Sequence, residues 1–418
     1  MELHYDYVLV GGGLACVWAA QSIREHDKEG KLTIIGEEPF PPYDRPPLSK
    51  NLLTDDEMTQ DDPYSKLDEF YPNNGIELHT ATRVMRLDRI TRTLLLDDGH
   101  TIGYDRLLLA TGARPRPLDT PGADRTGVFL LRRLDEALAI RNALKNSRRA
   151  VIVGAGYIGM EVAAGARTRG LDVTVVEMAN QPWPKFASEK LGAFMRSYYE
   201  KQGVRFHLGD SVVSIEGEGD SGPVGAVVTR NGARIPADVV IAGLGVEPNV
   251  ELARDAGLEI GDEGGVRADD FLRTSDPNIW AAGDVAQFKD AAMGKEWRLE
   301  HFLNAKWQGQ AVGAIMTGEG GAYNRVPYFF SDEFDIHMIL RGDKSSGRRS
   351  VVAGDIDGAE FTELYVDDSS RLTMGIGISR DEKHLDAVSD TLERLILARA
   401  IINEQEVTKP GFDLNEMV

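Results

Sequence analysis

The sequence predicts an α/β protein, and two observations support this prediction. A short apolar run, a glycine-rich turn, a helix-like segment and a second apolar run follow one another over residues 7–35, and the same order returns over 150–176. Parallel strands are joined by helical crossovers, so the two βαβ units indicate buried parallel sheets with helices on both faces. From about Pro327 the residues alternate between apolar and polar, which is typical of antiparallel strands. A helix that closes this part predicts a C-terminal α+β domain.

The individual elements follow from their apolar patterns and from the glycines that bound them. We expect the first unit to contain strands at 7–10 and 31–35 and a helix at 14–23. In the second unit we expect strands at 150–153 and 172–176 and a helix that ends near Arg169. A hairpin is predicted over 94–102 with its turn at Asp98-Gly99, followed by a separate strand at 107–110. The remaining predictions are strands at 239–242, 279–282, 361–366 and 372–378 and a helix at 382–402.

The length and composition of the chain limit the class of protein to which it can belong. A chain of 418 residues is long enough for two or three domains. Its formal net charge of −20 opposes binding to nucleic acid or to an anionic membrane surface. The single cysteine, Cys16, excludes an intramolecular disulfide, and we expect it to be a packing residue. The N-terminus lacks a signal pattern and no apolar run is long enough to span a membrane, so we predict a soluble, cytoplasmic protein. We expect a monomer or a homodimer.

Two glycine fingerprints predict two dinucleotide sites. They are Gly11-x-Gly13 and Gly154-x-Gly156-x-x-Gly159, and each follows a predicted strand and opens a predicted helix. Glycines let the backbone N–H groups at a helix N-terminus approach a pyrophosphate. An acid ends the next strand in each copy, Glu37 in the first and Glu177 in the second, as ribose recognition requires. The first copy departs from the pattern because Cys16 occupies its third position.

Three further segments carry a family resemblance. They are the run 42–50 (Pro-Tyr-Asp-Arg-Pro-Pro-Leu-Ser-Lys), the triplet Ala110-Thr111-Gly112, and 279–284 (Ile-Trp-Ala-Ala-Gly-Asp). Together with the fingerprints, the chain resembles the apoptosis-inducing factor and ferredoxin reductase branch of the two-dinucleotide-binding-domain flavoproteins over its whole length. The resemblance implies two Rossmann-like domains, an FAD domain at 1–115 and 246–325 and an inserted NAD domain at 116–245. It also implies a C-terminal interface domain at 326–418.

The resemblance implies specific cofactor residues. Those for FAD are Gly11, Gly13, Leu14, Ala15, Glu37, Arg45, Lys50, Val84, Ala110, Thr111, Gly112 and Asp284. Those for NAD are Gly154, Gly156, Tyr157, Ile158, Gly159, Glu161, Glu177 and Gly245. The guanidinium of Arg45 suits a pyrophosphate, and the carboxylate of Asp284 suits ribityl or ribose hydroxyls. NADH is favoured over NADPH because Glu177 would repel a 2′-phosphate and no arginine follows it in 178–181.

Five residues are expected at the reaction centre from the same resemblance. Lys50 would lie beside the flavin ring, where a cation stabilises the negative charge of the reduced ring, and Glu161 would pair with it. Glu300 and His301 would present polar side chains to the nicotinamide. Phe330 stands where relatives often have tryptophan, so its ring would still shield the flavin face but without an indole N–H.

The electron acceptor is left open between several classes. With one cysteine the chain cannot form the redox-active disulfide of disulfide reductases, so electrons must leave the flavin for another acceptor. The first hypothesis is a soluble acceptor such as a ferredoxin, a quinone or another small molecule. The basic stretch 341–349 is a candidate surface for an acidic ferredoxin, although an ordinary solvated loop is the alternative. Two other functions fit the resemblance. One is an NADH-sensing interaction protein with slow turnover, similar to apoptosis-inducing factor, and the other is an enzyme similar to monodehydroascorbate reductase.

Overall fold

The computed structural model describes residues 3–219, 222–344, 347, 349–409 and 411–417. It has the mixed α/β architecture that the repeated βαβ units predict. The chain divides into two compact units. The first contains the described parts of Met1–Asp44, Pro63–Arg114 and Glu247–Phe329, and the second those of Arg45–Asp62, Pro115–Val246 and Phe330–Val418. The three-domain division at 115, 245 and 325 stays a prediction.

The strands are short and are numbered in chain order. They are β1 Leu3–Val10, β2 Leu32–Ile35, β3 Ile76–His79, β4 Val84–Asp88, β5 Thr93–Leu96, β6 Thr101–Leu109, β7 Ala113–Pro115, β8 Val128–Leu130, β9 Arg149–Val153, β10 Asp172–Glu177, β11 Arg205–Leu208, β12 Val212–Gly217, β13 Val224–Thr229, β14 Arg234–Pro236, β15 Val239–Ala242, β16 Val246–Pro248, β17 Val266–Ala268, β18 Ile279–Ala281, β19 Ala286–Asp290, β20 Lys295–Arg298, β21 Tyr328–Glu333, β22 Ile336–Gly342, β23 Arg349–Asp355, β24 Glu360–Val366 and β25 Leu372–Ser379.

The helices include several that are only one turn long. They are α1 Leu14–His26, α2 Asn51–Thr54, α3 Phe70–Asn73, α4 Leu134–Lys145, α5 Tyr157–Thr168, α6 Glu189–Lys201, α7 Glu251–Asp255, α8 Phe302–Thr317, α9 Glu382–Leu397 and α10 Glu404–Val407. A 3₁₀ turn at Pro46–Ser49 precedes α2. Within the described part of the chain, no helix has the length and apolar character needed to cross a membrane.

The main sheet of the first unit is largely parallel. Its strand order is β3-β2-β1-β6-β5-β4, and β18 also pairs with β6. Strands β1, β2, β3, β6 and β18 run parallel, while the β4–β5 and β5–β6 pairs are antiparallel. The carboxyl ends of the parallel strands therefore meet at one edge of the sheet, which is where ligands bind in open α/β sheets. Gly11, Ala110 and Ala282 immediately follow β1, β6 and β18 at this edge.

Helices α1 and α8 pack closely in the first unit because glycines line their contact. A Cβ atom at Gly309 would lie 2.4 Å from the carbonyl oxygen of Ala15, and one at Gly313 would lie 2.5 Å from that of Ala19. Only residues without a side chain allow this approach. Cys16 is fully buried in the same core, as the sequence predicted. Burial also raises the pKa of its thiol.

The second unit contains a parallel sheet and two antiparallel ones. The parallel sheet has the order β11-β10-β9-β15-β8, and strands β12-β13-β14 form a small antiparallel sheet. The C-terminal sheet has the order β21-β22-β25-β24-β23, and its β22–β25, β24–β25 and β23–β24 pairs are antiparallel, as the alternating sequence predicts. Helix α9 covers this sheet, where Leu385 and Leu392 pack on Gly377 and Gly375 of β25.

Several predicted bounds differ from the structure: β1 begins at Leu3 and not at 7, and α1 ends at His26 and not at 23. Two further elements also differ. The second arm of the hairpin and the buried strand predicted at 107–110 are one continuous strand, β6. The polar residues in the middle of β6 hid this continuity. In the structure β6 pairs with β1 from Ile102 to Leu109, with β5 at its start and with β18 at its end. Helix α9 ends at Leu397 and not at 402. The chain turns at Arg399, whose φ is 52°, and Ile402 then donates its N–H to the carbonyl of Ser370.

Candidate active site

The first fingerprint forms a tight turn at the carboxyl end of β1. Gly11 has a φ of 133° and lies so close to Ala110 that a Cβ atom would be 2.2 Å from the Ala110 carbonyl oxygen. Helix α1 begins at Leu14, and the N-cap residue Gly13 provides no side-chain cap within the described structure. The space around the Cβ position of Gly13 is open. Free N–H groups beside open space are what a phosphate group requires.

The loop around Asp284 lies next to this turn. A Cβ atom at Gly283 would be 3.6 Å from the Cβ atoms of Ala15 in α1 and Ala305 in α8. Gly283 donates its N–H to Oε1 of Gln308 over 2.8 Å, which fixes the loop against α8. The structure thus brings together Gly11, Ala15, Ala110 and the loop that contains Asp284.

Other predicted FAD residues have contacts within their own unit. Glu37 is exposed near Arg83, which precedes Val84, and its Oε1 lies 3.9 Å from Nε of Arg83. Thr111 donates its hydroxyl to the carbonyl of Asn249, so its side chain joins two segments of the first unit. Leu14 is buried at the start of α1. Arg45 belongs to the second unit, where its guanidinium donates to the carbonyl of Arg132.

The segment 298–308 carries buried polar atoms that the described residues leave without a partner. These atoms are Nε of Arg298, Nδ1 of His301 and Nε2 of Gln308. Buried polar groups normally have hydrogen-bond partners, so a bound ligand could supply the partners of these atoms. Glu300 pairs with Arg298 at 2.5 Å. Arg298 and Gln308 were not predicted as site residues from the sequence, because neither residue belongs to a recognised fingerprint.

His301 is a neutral imidazole in this environment. Burial lowers its pKa to about 4, and the charge of Asp284 only partly opposes this. Its ring lies 5.4 Å from that of Phe329 in a tilted arrangement. At neutral pH the ring can therefore accept or donate a hydrogen bond but carries no charge.

The second fingerprint repeats the geometry of the first in the other unit. Gly154 has a φ of 100°, and a Cβ atom there would lie 2.5 Å from the carbonyl oxygen of Gly243. Gly159 is required for the packing of α5, since its Cβ atom would be 2.0 Å from the carbonyl oxygen of Gly154. The space around the Cβ position of Gly156 is open, and this N-cap residue supplies no side-chain cap within the described structure. Helix α6, in contrast, is capped by the hydroxyl of Ser188.

Glu177 holds the fingerprint loop together. Its Oε2 accepts from the N–H of Ala155 over 2.7 Å, and its Oε1 accepts from the N–H of Ala179 over 2.8 Å. Each carboxylate oxygen has a second acceptor position, so the group remains able to accept from a ribose hydroxyl. Gly245, with a φ of 86°, accepts at its carbonyl from the N–H of Arg116.

The first turn of α5 presents one aromatic and one aliphatic side chain. Tyr157 stacks on Phe186 with ring centroids 4.4 Å apart, and the adjacent Trp183 is fully buried. Ile158 is 40% exposed beside it. The ring pair was not expected from the sequence, because Phe186 lies outside the fingerprint.

A buried ion pair joins Lys50 and Glu161, both in the second unit. Lys50 stands between the 3₁₀ turn and α2, and Glu161 lies one turn into α5. Their side chains are 13% and 4% exposed. The Lys50 ammonium also lies 5.5 Å from the ring centroid of Phe330, within the range of a cation–π contact. Three of the five residues expected at the reaction centre are thus neighbours.

Three further residues complete this buried cluster and were not expected from the sequence. The hydroxyl of Ser49 donates to Oε2 of Glu161, and the hydroxyl of Ser331 lies 2.6 Å from Oε1. Ser331 also lies 2.7 Å from Oε1 of Glu333. Burial raises the pKa of Glu333 to about 8, and the nearby charge of Glu161 adds to this rise.

Comparison with known proteins identifies the family. Residues 5–309 match the family model described as pyridine nucleotide-disulphide oxidoreductase. The chain belongs to this family. Its buried Cys16 has no second cysteine to pair with in the sequence, so the disulphide chemistry in the family's name cannot occur within one chain.

Individual relatives indicate which branch of the family the chain is similar to. The chain is 33% identical over 410 residues to the ferredoxin–NAD(+) reductase component of an anthranilate 1,2-dioxygenase system from Burkholderia cepacia, covering 98% of both chains. It is 35% identical over 378 residues to monodehydroascorbate reductase 2 of Arabidopsis thaliana, covering 85% of both. A solved ferredoxin reductase for the CYP199A2 system of Rhodopseudomonas palustris has the same fold, with a TM-score of 0.91, 33% identity and coverage of 98% and 99%. These proteins favour the ferredoxin reductase branch over apoptosis-inducing factor.

Proposed function

We propose that this protein is an FAD-dependent reductase that oxidises NADH and passes the electrons to a ferredoxin-type carrier. The observation that carries this proposal is the presence of two glycine turns, each with an uncapped helix start and open space for a phosphate, in a chain related along its whole length to a ferredoxin–NAD(+) reductase. When bound, FAD accepts a hydride from NADH and can release electrons singly to a one-electron carrier.

In this proposal the protein binds and orients two dinucleotides. Gly13 and the start of α1 would bind the FAD pyrophosphate. Asp284 would accept hydrogen bonds from hydroxyl groups of FAD. The side-chain amide of Gln308, whose Nε2 has no partner among the described residues, would donate to the same cofactor. Gly156 and the start of α5 would bind the NADH pyrophosphate, and Glu177 would accept from the ribose 2′-hydroxyl. The carboxylate of Glu177 would repel a 2′-phosphate.

Lys50 would lie beside the flavin ring, and Glu161 would hold its ammonium in place. A buried cation near the ring stabilises the negative charge that the ring gains on reduction. The low exposure of both side chains supports this role, because an ion pair shielded from water acts more strongly than one at the surface. Phe330 would cover the ring with a phenyl group.

The predicted basic docking stretch at 341–349 has less support as a ferredoxin surface. Arg341 is buried, donates to Ser389 and pairs with Glu393 at 3.3 Å. Lys344 donates to the carbonyl of Ala187, and Arg349 pairs with Glu404. Residues 345, 346 and 348 lie outside the described residues. Most of the described charges in this stretch are therefore engaged within the chain.

The proposal is tested by anaerobic turnover of the purified yellow protein. NADH oxidation is measured with a [2Fe–2S] ferredoxin whose reduction is coupled to cytochrome c, with and without the ferredoxin. We expect ferredoxin-dependent cytochrome c reduction with NADH and much slower reduction with NADPH. Preparation of a protein that cannot be loaded with FAD, or ferredoxin-independent rates only, would contradict the proposal.

A second candidate is reduction of the monodehydroascorbate radical. It is favoured by the 35% identity to the Arabidopsis monodehydroascorbate reductase and by the run 327–331 (Pro-Tyr-Phe-Phe-Ser). The same preparation is assayed with NADH and the radical generated by ascorbate oxidase. A kcat/KM for the radical that exceeds the value for ferredoxin would favour this function over the first.

A further inference from the structure

Glu333 occupies an unusual position at the end of β21. Its side chain is completely buried, and among the described residues its Oε2 has no hydrogen-bond partner. Its Oε1 lies 2.7 Å from the hydroxyl oxygen of Ser331. That same hydroxyl oxygen lies 2.6 Å from Oε1 of Glu161. One serine hydroxyl thus stands between two buried carboxyl groups.

The hydrogen count in this arrangement requires a proton on one carboxyl group. Both oxygen–oxygen separations are hydrogen-bond distances, and each needs a hydrogen between its two atoms. Ser331 supplies only one, because a hydroxyl carries a single hydrogen. Glu161 already forms an ion pair with the Lys50 ammonium and accepts from Ser49, whereas Oε2 of Glu333 has no partner among the described residues. The second hydrogen therefore belongs to Glu333.

The groups around Glu333 agree with this assignment. Burial and the charges of Glu161 and Asp332 raise its pKa, whereas Ser331 and Lys50 lower it by less, and the result is about 8. Among the described residues, Tyr157 and Tyr199 also sense its charge, and burial raises the pKa of both phenols well above 10. Both tyrosines are therefore neutral over the same pH range.

We propose that Glu333 is a positioning residue whose protonated carboxyl group, acting through Ser331, keeps Glu161 aligned on Lys50. The proton on Glu333 is donated to Ser331, and Ser331 donates its own hydrogen to Glu161. Loss of the Glu333 proton places a second negative charge in the cluster and withdraws the Ser331 hydrogen from Glu161. The charge of Lys50 is then more strongly neutralised. The effect on flavin chemistry rests on the proposed function, whereas the protonation itself does not.

The protonation is tested directly by infrared spectroscopy of the FAD-loaded protein. Spectra of the wild type are compared between pH 6 and pH 10, and the carbonyl band of a protonated carboxylic acid is followed. We expect this band to titrate near pH 8 and to be missing in Glu333→Gln. The matched control is Glu363→Gln, which removes another buried carboxyl group, one that has separate donors in Ser350 and Tyr365. This control should keep the band.

The wild-type spectra suffice if the Glu333→Gln variant does not fold. A wild type without a protonated carboxylic acid that titrates between pH 7 and pH 9 would overturn the assignment. A band that persists unchanged in a folded Glu333→Gln variant would also overturn it. Neither result depends on whether ferredoxin is the acceptor.

The positioning role is tested by the pH profile of flavin reduction by NADH in a stopped-flow instrument. For the wild type we expect the rate to fall between pH 7 and pH 9.5 by on the order of tenfold, the size of effect that one added charge has at an effective dielectric constant of about 20. Glu333→Gln, which keeps a neutral donor, should show a much smaller ratio between these two pH values. The same pH profile in both proteins would overturn the role. Absence of any reduction by NADH would instead contradict the proposed function.

Discussion

The ammonium group of Lys50 forms an ion pair with the carboxylate of Glu161, 111 residues further along the chain and within the same compact unit. Both groups are largely removed from water, so neither is compensated by solvent if its partner is lost. The pair is therefore sensitive to substitution in a way that an exposed pair is not.

The first prediction concerns this pair. Lys50→Met should leave a buried charge on Glu161 and lower the free energy of unfolding by about 3 to 5 kcal/mol. The double variant Lys50→Met/Glu161→Gln should recover part of that loss, because no charge is left uncompensated. Urea unfolding of all four proteins of this cycle measures the effect. Equal stability of Lys50→Met and the wild type would contradict the buried pair.

Lys50→Met should also affect the chemistry. With FAD bound, we expect a lower flavin midpoint potential and slower reduction by NADH, since the positive charge near the ring is lost. Glu161→Gln should not lower the midpoint potential in this way, because it leaves the lysine charge in place. A potentiometric titration and single-turnover kinetics separate the two variants. A wild-type potential and rate in Lys50→Met would refute its assigned role.

The second prediction concerns nucleotide choice. Glu177→Ala removes the acceptor for a ribose 2′-hydroxyl and the brace on the N–H groups of Ala155 and Ala179. NADH affinity should fall by roughly 10- to 100-fold, the equivalent of about 1.5 to 3 kcal/mol for a hydrogen bond to a charged group. NADPH affinity should fall less. Dissociation constants for both nucleotides give the ratio, and Met178→Ala, at a neighbouring residue that is 75% exposed, serves as the control.

The third prediction links Glu333 to stability. Its pKa in the folded protein is raised from 4.5 to about 8, so its contribution to stability is complete below pH 4.5 and is lost as the pH rises through 8. Relative to Glu333→Gln, the wild type should lose on the order of 4 to 5 kcal/mol between these values. Thermal unfolding at pH 5, 7 and 9 measures the difference. If the thermal stabilities of the two proteins change equally with pH, the prediction is wrong.

The fourth prediction concerns His301. Its pKa is lowered from 6.5 to about 4, so it contributes stability above pH 6.5 that is lost as the pH falls through 4. His301→Gln should abolish up to about 3 kcal/mol of this acid destabilisation. Because His301 stays neutral near pH 6.5, its ionisation should cause no step at that pH in the pH profile of the flavin reduction rate. Such a step, present in the wild type and absent in the variant, would show that the imidazole ionises in the working range.

The fifth prediction tests the contact between α1 and α8. Gly309→Ala places a methyl group 2.4 Å from the backbone of Ala15, and backbone cannot move aside as a flexible side chain can. We expect a loss of about 1 to 3 kcal/mol and weaker retention of FAD, because α1 also carries the first fingerprint. Gly321→Ala is the matched control, since the space around its Cβ position is open. Equal FAD retention in the two variants would contradict the role of this contact.

The sequence predicted those parts of the molecule that depend on neighbouring residues. The two fingerprints could be recognised because the strand, the glycine turn and the helix are contiguous, and the structure confirms both turns at Gly11 and Gly154. The end of α9 could not be predicted from its helical pattern. The chain leaves the helix through a left-handed turn at Arg399, where no glycine signals the end, and Ile402 then bonds to Ser370, which is distant in sequence.

The buried cluster around Glu161 could be predicted from the sequence even less well than the end of α9. Lys50 and Glu161 could be named only through a family resemblance, and their neighbours Ser331 and Glu333 carry no periodic or motif signal. Ser331 lies 170 residues from Glu161 in sequence, and only the folded chain brings the two together. The protonation of Glu333 depends on burial and on shared donors, which are properties of the packed structure.

The burial of Cys16 has a practical consequence for labelling. Because the sole thiol of the chain is inaccessible in α1 and its pKa is raised, thiol-directed reagents should not modify the native protein. A cysteine introduced at an exposed position such as Leu67 would then be the only reactive one. A fluorophore, a spin label or an electrode linker could be attached there to a single atom. The protein is thus suited to distance measurements and to immobilisation without prior removal of native cysteines.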